Sequence, residues 1–244
     1  MGHGGHKSTH TAEEEWAATR VLDPTLDARC GIFSHAGAIA LNVVLDADIH
    51  VGEYVAIFGQ GVMGLIALQL ARLNGDTIMA VDGFAPRLAY AREFGAEYVI
   101  NFHEQDPAEV IKAITKNRGA DVSIEITGAY SALQTAIRAT AYNSQVIVAS
   151  FFQGPGTALS LGEEFHHNRI QIISSQISGT APHLSHRWNR LRLNQTVMQL
   201  QAEGKLNLTR LISHTFPASQ AAEAFELLDK GSGEVMQVVL DFSR

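Results

Sequence analysis

Cysteine is nearly absent from this 244-residue chain, in which Cys30 is the only example. One thiol cannot form an internal disulfide, and it cannot build a zinc site that needs several cysteines. We interpret Cys30 as a small packed residue of the interior, because free cysteine is among the residue types most often buried.

Basic charge and long apolar runs are also scarce. Lys and Arg number 18 against 25 Asp and Glu, for a net charge of −7, and no basic cluster interleaved with aromatic residues indicates a nucleic-acid partner. The apolar run around residue 65 is interrupted by Gln60, Gln69 and Arg72, so it is too short to span a membrane. The His- and Glu-rich start is not typical of a signal peptide. We therefore expect a cytoplasmic protein that binds neither membranes nor nucleic acid.

The clearest motif is a glycine turn between a predicted strand, Glu53–Phe58, and a helix. Its glycines have the G-x-G-x-x-G spacing, in which the first glycine turns the chain, the second leaves room for a pyrophosphate and the third lets helix and strand approach closely. Free N–H groups at such a helix start face an anion. The alternative is a turn that only packs helix on strand. The predicted contacts are Gly59, Gly61, Val62, Met63 and Gly64.

An acidic residue follows at the distance that a dinucleotide site requires. Asp82 ends the next predicted strand, Thr77–Val81, eighteen residues past Gly64, close to the position where a carboxylate accepts hydrogen bonds from an adenosine ribose. A carboxylate there would repel a 2′-phosphate, so NAD is favoured over NADP. Gly83 and Arg87 complete this part of the predicted site, although Arg87 is also compatible with capping or solvating the next helix.

Alternating strands and helices continue to about residue 178, which predicts an α/β fold with a doubly wound parallel sheet of the Rossmann type. Ligands of such sheets lie across the carboxyl ends of the strands. The residues just past the fourth, fifth and sixth strands are therefore candidate cofactor contacts, although each also fits an ordinary loop: Thr127, Gly128, Ser150, Phe151, Ser175 and Gln176.

The remaining segments follow a different pattern. We predict a dinucleotide-binding domain over residues 37–178, with residues 1–36 and 179–244 forming a reduced catalytic or substrate module. Three local expectations accompany this division: a strand at Trp16–Leu22, an exposed edge strand at Thr157–Leu161, and a helix capped by Ser219.

Four phrases taken together resemble the medium-chain dehydrogenase/reductase family, in its alcohol and polyol dehydrogenase branch. They are VAIFGQGVMGLIALQLAR, AVDGFAPRLAYAREFGAEYVIN, GADVSIEITG and AAEAFELLDKG, and the likeness extends from about Trp16 to Phe242. The resemblance implies an NAD(P)-binding domain inserted in a catalytic domain, with a substrate cleft at their junction. It also implies homodimers joined sheet to sheet, which would use the Thr157–Leu161 edge.

The chain departs from this family at its metal ligands. Most of the long first part that carries a cysteine and a histidine ligand has no counterpart, and the third ligand position falls at about Ser34, a poor zinc ligand. We therefore predict no metal site. Because hydride transfer still requires proton exchange with the substrate oxygen, the adjacent His35 is our candidate, with a packed structural histidine as the alternative.

These features predict an NAD(H)-dependent oxidoreductase acting on a small alcohol or carbonyl compound without catalytic zinc. A second hypothesis is a non-catalytic NAD(H)-binding sensor, or a subunit completed by another chain. A zinc-free quinone or enoyl reductase is a third hypothesis. Those enzymes usually take NADPH, whose 2′-phosphate the Asp82 carboxylate would repel, so Asp82 argues against it.

Overall fold

A computed structural model describes residues 5–231 and 233–243, and its centre is a six-stranded parallel sheet. The strands lie in the order β3-β2-β1-β4-β5-β6, with every neighbouring pair parallel. Their bounds are β1 Tyr54–Phe58, β2 Thr77–Asp82, β3 Tyr98–Asn101, β4 Ala120–Glu125, β5 Thr140–Val148 and β6 Gln171–Ser174. The predicted doubly wound α/β fold is thus confirmed.

The helices alternate with these strands and then continue through the segment after residue 178, which we call the tail. They are α1 Glu14–Ala18, α2 Ser34–Asp46, α3 Val62–Arg72, α4 Ala85–Glu93, α5 Pro107–Ile114, α6 Tyr130–Ala139, α7 Glu164–His167, α8 Arg190–Ala202 and α9 Ala221–Asp229. Short 3-10 turns lie at Ala28–Phe33, Pro182–Leu184, Thr209–Leu211 and Ala218–Gln220. The tail also forms a separate two-stranded parallel sheet, made of β7 Ile212–Pro217 and β8 Gln237–Asp241.

Alternate residues of the central strands supply two cores, one on each face of the sheet. In β1, Val55 and Ile57 belong to the core under α2 and α3, whereas Ala56 and Phe58 belong to the core under α5 and α6. All four are at most 2% exposed. A strand that is covered on both faces has this burial pattern. Its sequence is a continuous apolar run rather than an alternation of apolar and polar residues.

The tail shares the first of these cores. Leu193 and Val197 of α8 are fully buried in the same cluster as α2 and α3. The approach of α8 to α2 is close, because a Cβ at Gly37 would lie 2.4 Å from Val197 Cγ1. The division at residues 37 and 178 stays a prediction, and α2 crosses its first boundary.

The Thr157–Leu161 segment is not a strand, contrary to the prediction. Turn hydrogen bonds from Thr157 N to Pro155 O and from Leu159 N to Gly156 O shape it. Glycine and proline directly before an apolar run favour such turns, and the sequence pattern alone did not separate the two cases. The edge of the sheet on this side is β6.

Two further local predictions were wrong. The Trp16–Leu22 segment begins within helix α1, where the Arg20 guanidinium lies 4.3 Å from the Trp16 ring and donates to the Trp16 carbonyl, a helical i,i+4 contact. Ser219 does not cap α9, because it lies inside a 3-10 turn that follows Pro217, and Gln220 takes the cap position.

The helical stretch Ala28–Asp46 is long and apolar enough to pass a test for a membrane span, and half of it is buried. Its buried residues include Phe33, Ala40 and Val43 in the core beside α3. Cys30, in the 3-10 turn at the start of this stretch, is buried as predicted, at 8% exposed. A core helix satisfies the same length and composition test, so a cytoplasmic location stays a prediction.

A buried carboxyl group at the amino end of the sheet lacks hydrogen-bond partners. Asp76, directly before β2, is 5% exposed and both of its carboxylate oxygens are buried and unpaired. Burial, and then the nearby Glu53, raise the pKa of Asp76 from 3.8 to about 6, with Glu97 adding to the rise and His50 opposing it. Because the folded-state pKa lies above the unfolded value, the fold favours the protonated carboxyl group of Asp76. The contribution of this group to stability is fully present below about pH 3.8, and it is lost as pH rises through about 6.

We expect Asp76→Asn to increase the free energy of unfolding at pH 8 by about 1 kcal/mol, since it removes the charge that burial penalises. The variant should also lose less stability than the unmodified protein between pH 5 and pH 7. Urea unfolding at several pH values measures both effects. Asp121→Asn is the matched control: Asp121 accepts from Tyr54 N at 2.8 Å and pairs with Arg118, so its loss should destabilise. Equal or lower stability of Asp76→Asn at pH 8 would refute the interpretation.

Candidate functional site

The glycine turn after β1 has a different geometric demand at each glycine. Gly59 has φ +103°, a conformation that side chains disfavour. A Cβ at Gly64 would lie 1.8 Å from the Gly59 carbonyl oxygen, whereas a Cβ at Gly61 would meet nothing within 4 Å. The chain therefore turns at Gly59, packs at Gly64 and leaves open space at Gly61.

Helix α3 begins directly at this turn. Gly61 is its N-cap and provides no side-chain hydrogen bond, so Val62 and Met63 start the helix without a capping side chain. The first N–H groups of a helix lack partners within the helix and carry its positive dipole end. This arrangement is suited to bind a phosphate group.

Asp82 lies beside the turn and holds part of it in place. Its carboxylate accepts from Gln60 N at 2.7 Å and from Phe84 N at 2.9 Å, one bond to each oxygen, and it is 5% exposed. A carboxylate has about four acceptor positions, so two remain for ribose hydroxyl groups. The sequence predicted the ligand contact and missed this second, structural role.

Arg87 lies beside the glycine turn. Its guanidinium lies 4.7 Å from the Phe84 ring, and its Nε is buried without a hydrogen-bond partner. Together with Gly61 and Val62 it lines a cavity of about 240 Å³ whose far wall comes from the tail, at Leu228, Gly231, Val235 and Met236. An unpaired guanidinium N–H beside the helix start supplies a second donor for an anion.

A larger cavity of about 600 Å³ lies at the carboxyl ends of β1 to β4, between α5 and α6. Phe58, Val81 and Phe102 give it apolar walls, and Thr127 and His103 lie at its border. Phe102 and His103 stack with ring centroids 4.4 Å apart. A Cβ at Gly83 would lie 2.5 Å from Phe102 Cζ, so a side chain there would displace the Phe102 ring. Apolar walls with a few polar groups fit a planar base. Sequence analysis missed Phe102 and His103, although both directly follow β3.

Glu125 was also missed, and it is the most connected side chain of the crevice. It ends β4 and is fully buried. Its carboxylate accepts from Thr127 N at 2.7 Å, from Gly128 N at 3.1 Å, and from the Thr127 and Ser150 hydroxyl groups. A charged residue that ends an apolar strand and precedes Thr-Gly was the available signal.

The other predicted contacts divide into two groups. Phe151 is 85% exposed beside Gly128, at the carboxyl edge with Thr127 and Ser150. Ser175 instead is 8% exposed, and its hydroxyl accepts from Asn42 Nδ2 of α2 at 3.4 Å. Gln176 accepts from Ser178 N at 2.6 Å within its own loop. The side chains of Ser175 and Gln176 are thus engaged elsewhere in the fold.

His35 lies beyond the carboxyl edge of the sheet, on the β5 and β6 side. Helix α2 runs antiparallel to the strands: Ala47 O accepts from Gln145 of β5 at 2.6 Å, while Asn42 lies near Ser175, just past β6. His35 is seven residues before Asn42, roughly 10 Å farther along the helix axis at 1.5 Å per residue. Neither cavity described above is lined by His35.

The His35 imidazole has no hydrogen-bond partner at Nδ1, which is buried. Burial, and then the positive charge of Arg190, lower its pKa from 6.5. Both effects favour the neutral form of the ring. A neutral imidazole with an unpaired nitrogen has one position at which it can accept a proton.

The described part of the chain holds no side-chain group that fits a zinc ion. Within residues 5–231 and 233–243, no three His, Cys, Asp or Glu side chains are grouped so as to hold a metal. The Ser34 hydroxyl donates to Asn194 Oδ1 at 2.8 Å, and neutral serine is a poor zinc ligand in any case.

Comparison with known proteins places this geometry in a family. The family model described as zinc-binding dehydrogenase matches residues 62–192, more than half of the chain. The D-guloside 3-dehydrogenase of Escherichia coli K12 is 34% identical over 187 residues, which are 76% of this chain and 53% of that protein. The chain thus spans about half the length of this curated relative.

Two solved structures have the same fold and carry nicotinamide cofactors. The alcohol dehydrogenase rspB of Escherichia coli CFT073, complexed with NADH, superposes with a TM-score of 0.75 at 21% identity over 91% of this chain and 61% of its own. A protein described as a zinc-binding dehydrogenase from Sinorhizobium meliloti 1021, bound to NADP, gives 0.75 at 24% identity over 90% and 61%.

Alanine at two of the glycines separates packing from access to the crevice. Gly64→Ala should lower the free energy of unfolding by about 1–3 kcal/mol, because the methyl group overlaps the Gly59 carbonyl. Gly61→Ala should change it by less than about 0.5 kcal/mol and should weaken NADH binding, since its methyl group enters the open space. Urea unfolding and calorimetric titration measure the two effects. Equal destabilisation by both substitutions would contradict this assignment.

Proposed function

Because the chain belongs to the zinc-binding dehydrogenase family, in the medium-chain alcohol and polyol dehydrogenase branch, we propose that it is an NAD(H)-dependent oxidoreductase. The reaction is hydride transfer between nicotinamide and a small alcohol or carbonyl compound, without catalytic zinc. A bound nicotinamide supplies the hydride chemistry, and the protein supplies binding, orientation and proton transfer.

The observation that carries this proposal is the uncapped start of α3 beside Asp82. The open space at Gly61 and the unpaired Nε of Arg87 fit the pyrophosphate of a dinucleotide. The large cavity between α5 and α6 fits the adenine ring. The other half of the cofactor would then extend past Thr127, Gly128 and Ser150 toward the ends of β5 and β6, as doubly wound sheets allow.

The preference for NAD over NADP rests on the charge and position of Asp82. Two of its acceptor positions are filled by backbone N–H groups, so the carboxylate cannot turn away from the ribose without breaking them. A 2′-phosphate there would face a fixed negative charge, and like charges in close contact are unfavourable. Arg87 and His103 are the groups nearby that would offset this repulsion.

His35 is our candidate for exchanging the substrate proton. Helix α2 places it beyond the carboxyl edge, on the side of the sheet where the nicotinamide half would lie. Its unpaired, buried Nδ1 and its lowered pKa keep it neutral and able to accept a proton from an alcohol. The proton acceptor must come within hydrogen-bond reach of the substrate hydroxyl group.

A homodimer through the Thr157–Leu161 segment is also part of the proposal. Leu161 is 49% exposed in that segment, and Ile172 of the neighbouring edge strand β6 is 38% exposed. An edge strand presents backbone groups that a second copy can pair. Because the segment is a turn within one protomer, pairing would have to order it as a strand.

Asp82→Ser tests the cofactor preference. We expect the unmodified protein to bind NADH at least about tenfold more tightly than NADPH, a difference of about 1.4 kcal/mol, and the variant to reduce that ratio. Calorimetric titration with both nucleotides measures it. Asp121→Asn is the control, because Asp121 pairs with Arg118 near the amino end of β4, at the opposite edge of the sheet from the glycine turn; its ratio should be unchanged. Equal affinities in the unmodified protein would remove Asp82 as the selector.

Turnover tests the reaction itself. We expect NADH formation or consumption with members of a panel of small alcohols, polyols and ketones, undiminished by a metal chelator. His35→Ala should lower kcat by about 10²-fold or more, the usual contribution of a general base, with the NADH dissociation constant unchanged. His183→Ala is the control, since His183 is an exposed histidine bridged to Asp48 at 3.8 Å.

The outcomes of that experiment also distinguish the alternative function. Tight NADH binding with no turnover across the panel would favour a sensor, or a subunit completed by another chain. Turnover abolished by the chelator and restored by zinc would overturn the zinc-free mechanism. An unchanged kcat in His35→Ala would overturn the proton-exchange role of His35 and favour the alternative, a packed structural histidine.

A further inference from the structure

We propose that Glu125 is a positioning residue of the cofactor crevice, which joins the loops after β4 and β5 so that both halves of a dinucleotide are bound in one fixed arrangement. Nothing in the family comparison assigns it this role. The inference rests on the proposed NAD(H) function and adds a residue that the ligand does not touch, since Glu125 is 0% exposed.

The place of Glu125 in the sheet is the first step. It pairs with Phe58 of β1 on one side and with Val148 of β5 on the other. The strand order reverses between β1 and β4, and this reversal is where doubly wound sheets open a crevice. Glu125 therefore lies under the centre of the predicted cofactor path.

The division of donors between its two carboxylate oxygens is the second step. Oε1 accepts from Thr127 N, the Thr127 hydroxyl and Gly128 N, whereas Oε2 accepts from the Ser150 hydroxyl. Three of these donors belong to the loop after β4, and Ser150 belongs to the loop after β5. One buried side chain thus fixes two separate loops relative to each other.

The loops that it joins are those predicted to contact the cofactor. Thr127 lines the large cavity on the adenosine side, whereas Ser150 lies over the strands expected to hold the nicotinamide side. Gly128 has φ +81°, and a Cβ there would lie 3.0 Å from the Phe151 carbonyl oxygen. The two loops are therefore in close backbone contact, and a shift of one would displace the other.

Binding of whole and half ligands tests the role. Glu125→Gln removes the charge that all four donors face, and it places an amide N–H₂ opposite the Ser150 hydroxyl, which must then accept instead of donate. We expect NADH binding to weaken about tenfold and 5′-AMP binding by less than about twofold, because AMP occupies only the adenosine side. Calorimetric titration gives both dissociation constants, and their ratio is the readout that a purely structural role would not change.

Two further variants complete the design. Ser150→Ala removes the hydroxyl that links Glu125 to the loop after β5, and it should change the NADH to AMP ratio in the same direction by about threefold while leaving thermal stability within about 2 °C. Ser123→Ala is the matched control: Ser123 is fully buried on the same strand and bonded to Thr140 at 2.7 Å. It should lower thermal stability and leave the ratio unchanged.

The possible failures are distinguishable. If Glu125→Gln does not fold, Ser150→Ala decides alone, and an unchanged ratio in that variant overturns the role. If Glu125→Gln folds, an unchanged ratio, or a loss shared equally by NADH and AMP, overturns it. Absence of NADH binding by the unmodified protein would overturn the proposed function and this role together.

Discussion

The structure depends on one backbone contact, the approach of helix α3 to the turn after β1. A methyl group at Gly64 would lie 1.8 Å from the Gly59 carbonyl oxygen, so the helix can begin this close to the strand only without a side chain. The close start places uncapped N–H groups at the carboxyl edge of the sheet. It also brings Gln60 N to within 2.7 Å of Asp82 on the neighbouring strand. Helix packing, the proposed anion site and the position of Asp82 thus share one geometric cause.

The parts of the fold that sequence predicted best are those set by local rules. Glycines at fixed spacing and apolar runs of strand length specify the turn and the six strands directly, because each requirement involves neighbours in the chain. Asp82 followed from counting residues past Gly64. The strand prediction for Thr157–Leu161 was wrong for the converse reason. An apolar run after glycine and proline fits either a strand or a packed turn, and the tertiary contact of Leu159 with the core decides between them.

The parts of the candidate site that sequence missed are set by tertiary contacts. Phe102 and His103 form a cavity wall because Gly83, just past β2, leaves room for them. Glu125 has its role because Ser150, 25 residues away, donates to it. Conversely, Ser175 followed the rule for residues past a strand, yet its hydroxyl meets Asn42 of α2. A position rule locates the edge of the sheet and does not give the direction of each side chain.

The buried polar groups along the carboxyl edge of the sheet differ in their hydrogen bonding. At the ends of β2 and β4, the Asp82 and Glu125 carboxylates are buried but bonded to several N–H and hydroxyl donors, so their charge is compensated and their positions are fixed. On the β5 and β6 side, His35 has an unpaired Nδ1 and a pKa lowered by burial and by Arg190. The bonded carboxylates are thus fixed in position, whereas Arg87 Nε and His35 Nδ1 both still lack a partner. Under the proposed function, Arg87 would offer its unpaired donor to the pyrophosphate and His35 its unpaired nitrogen to the substrate proton.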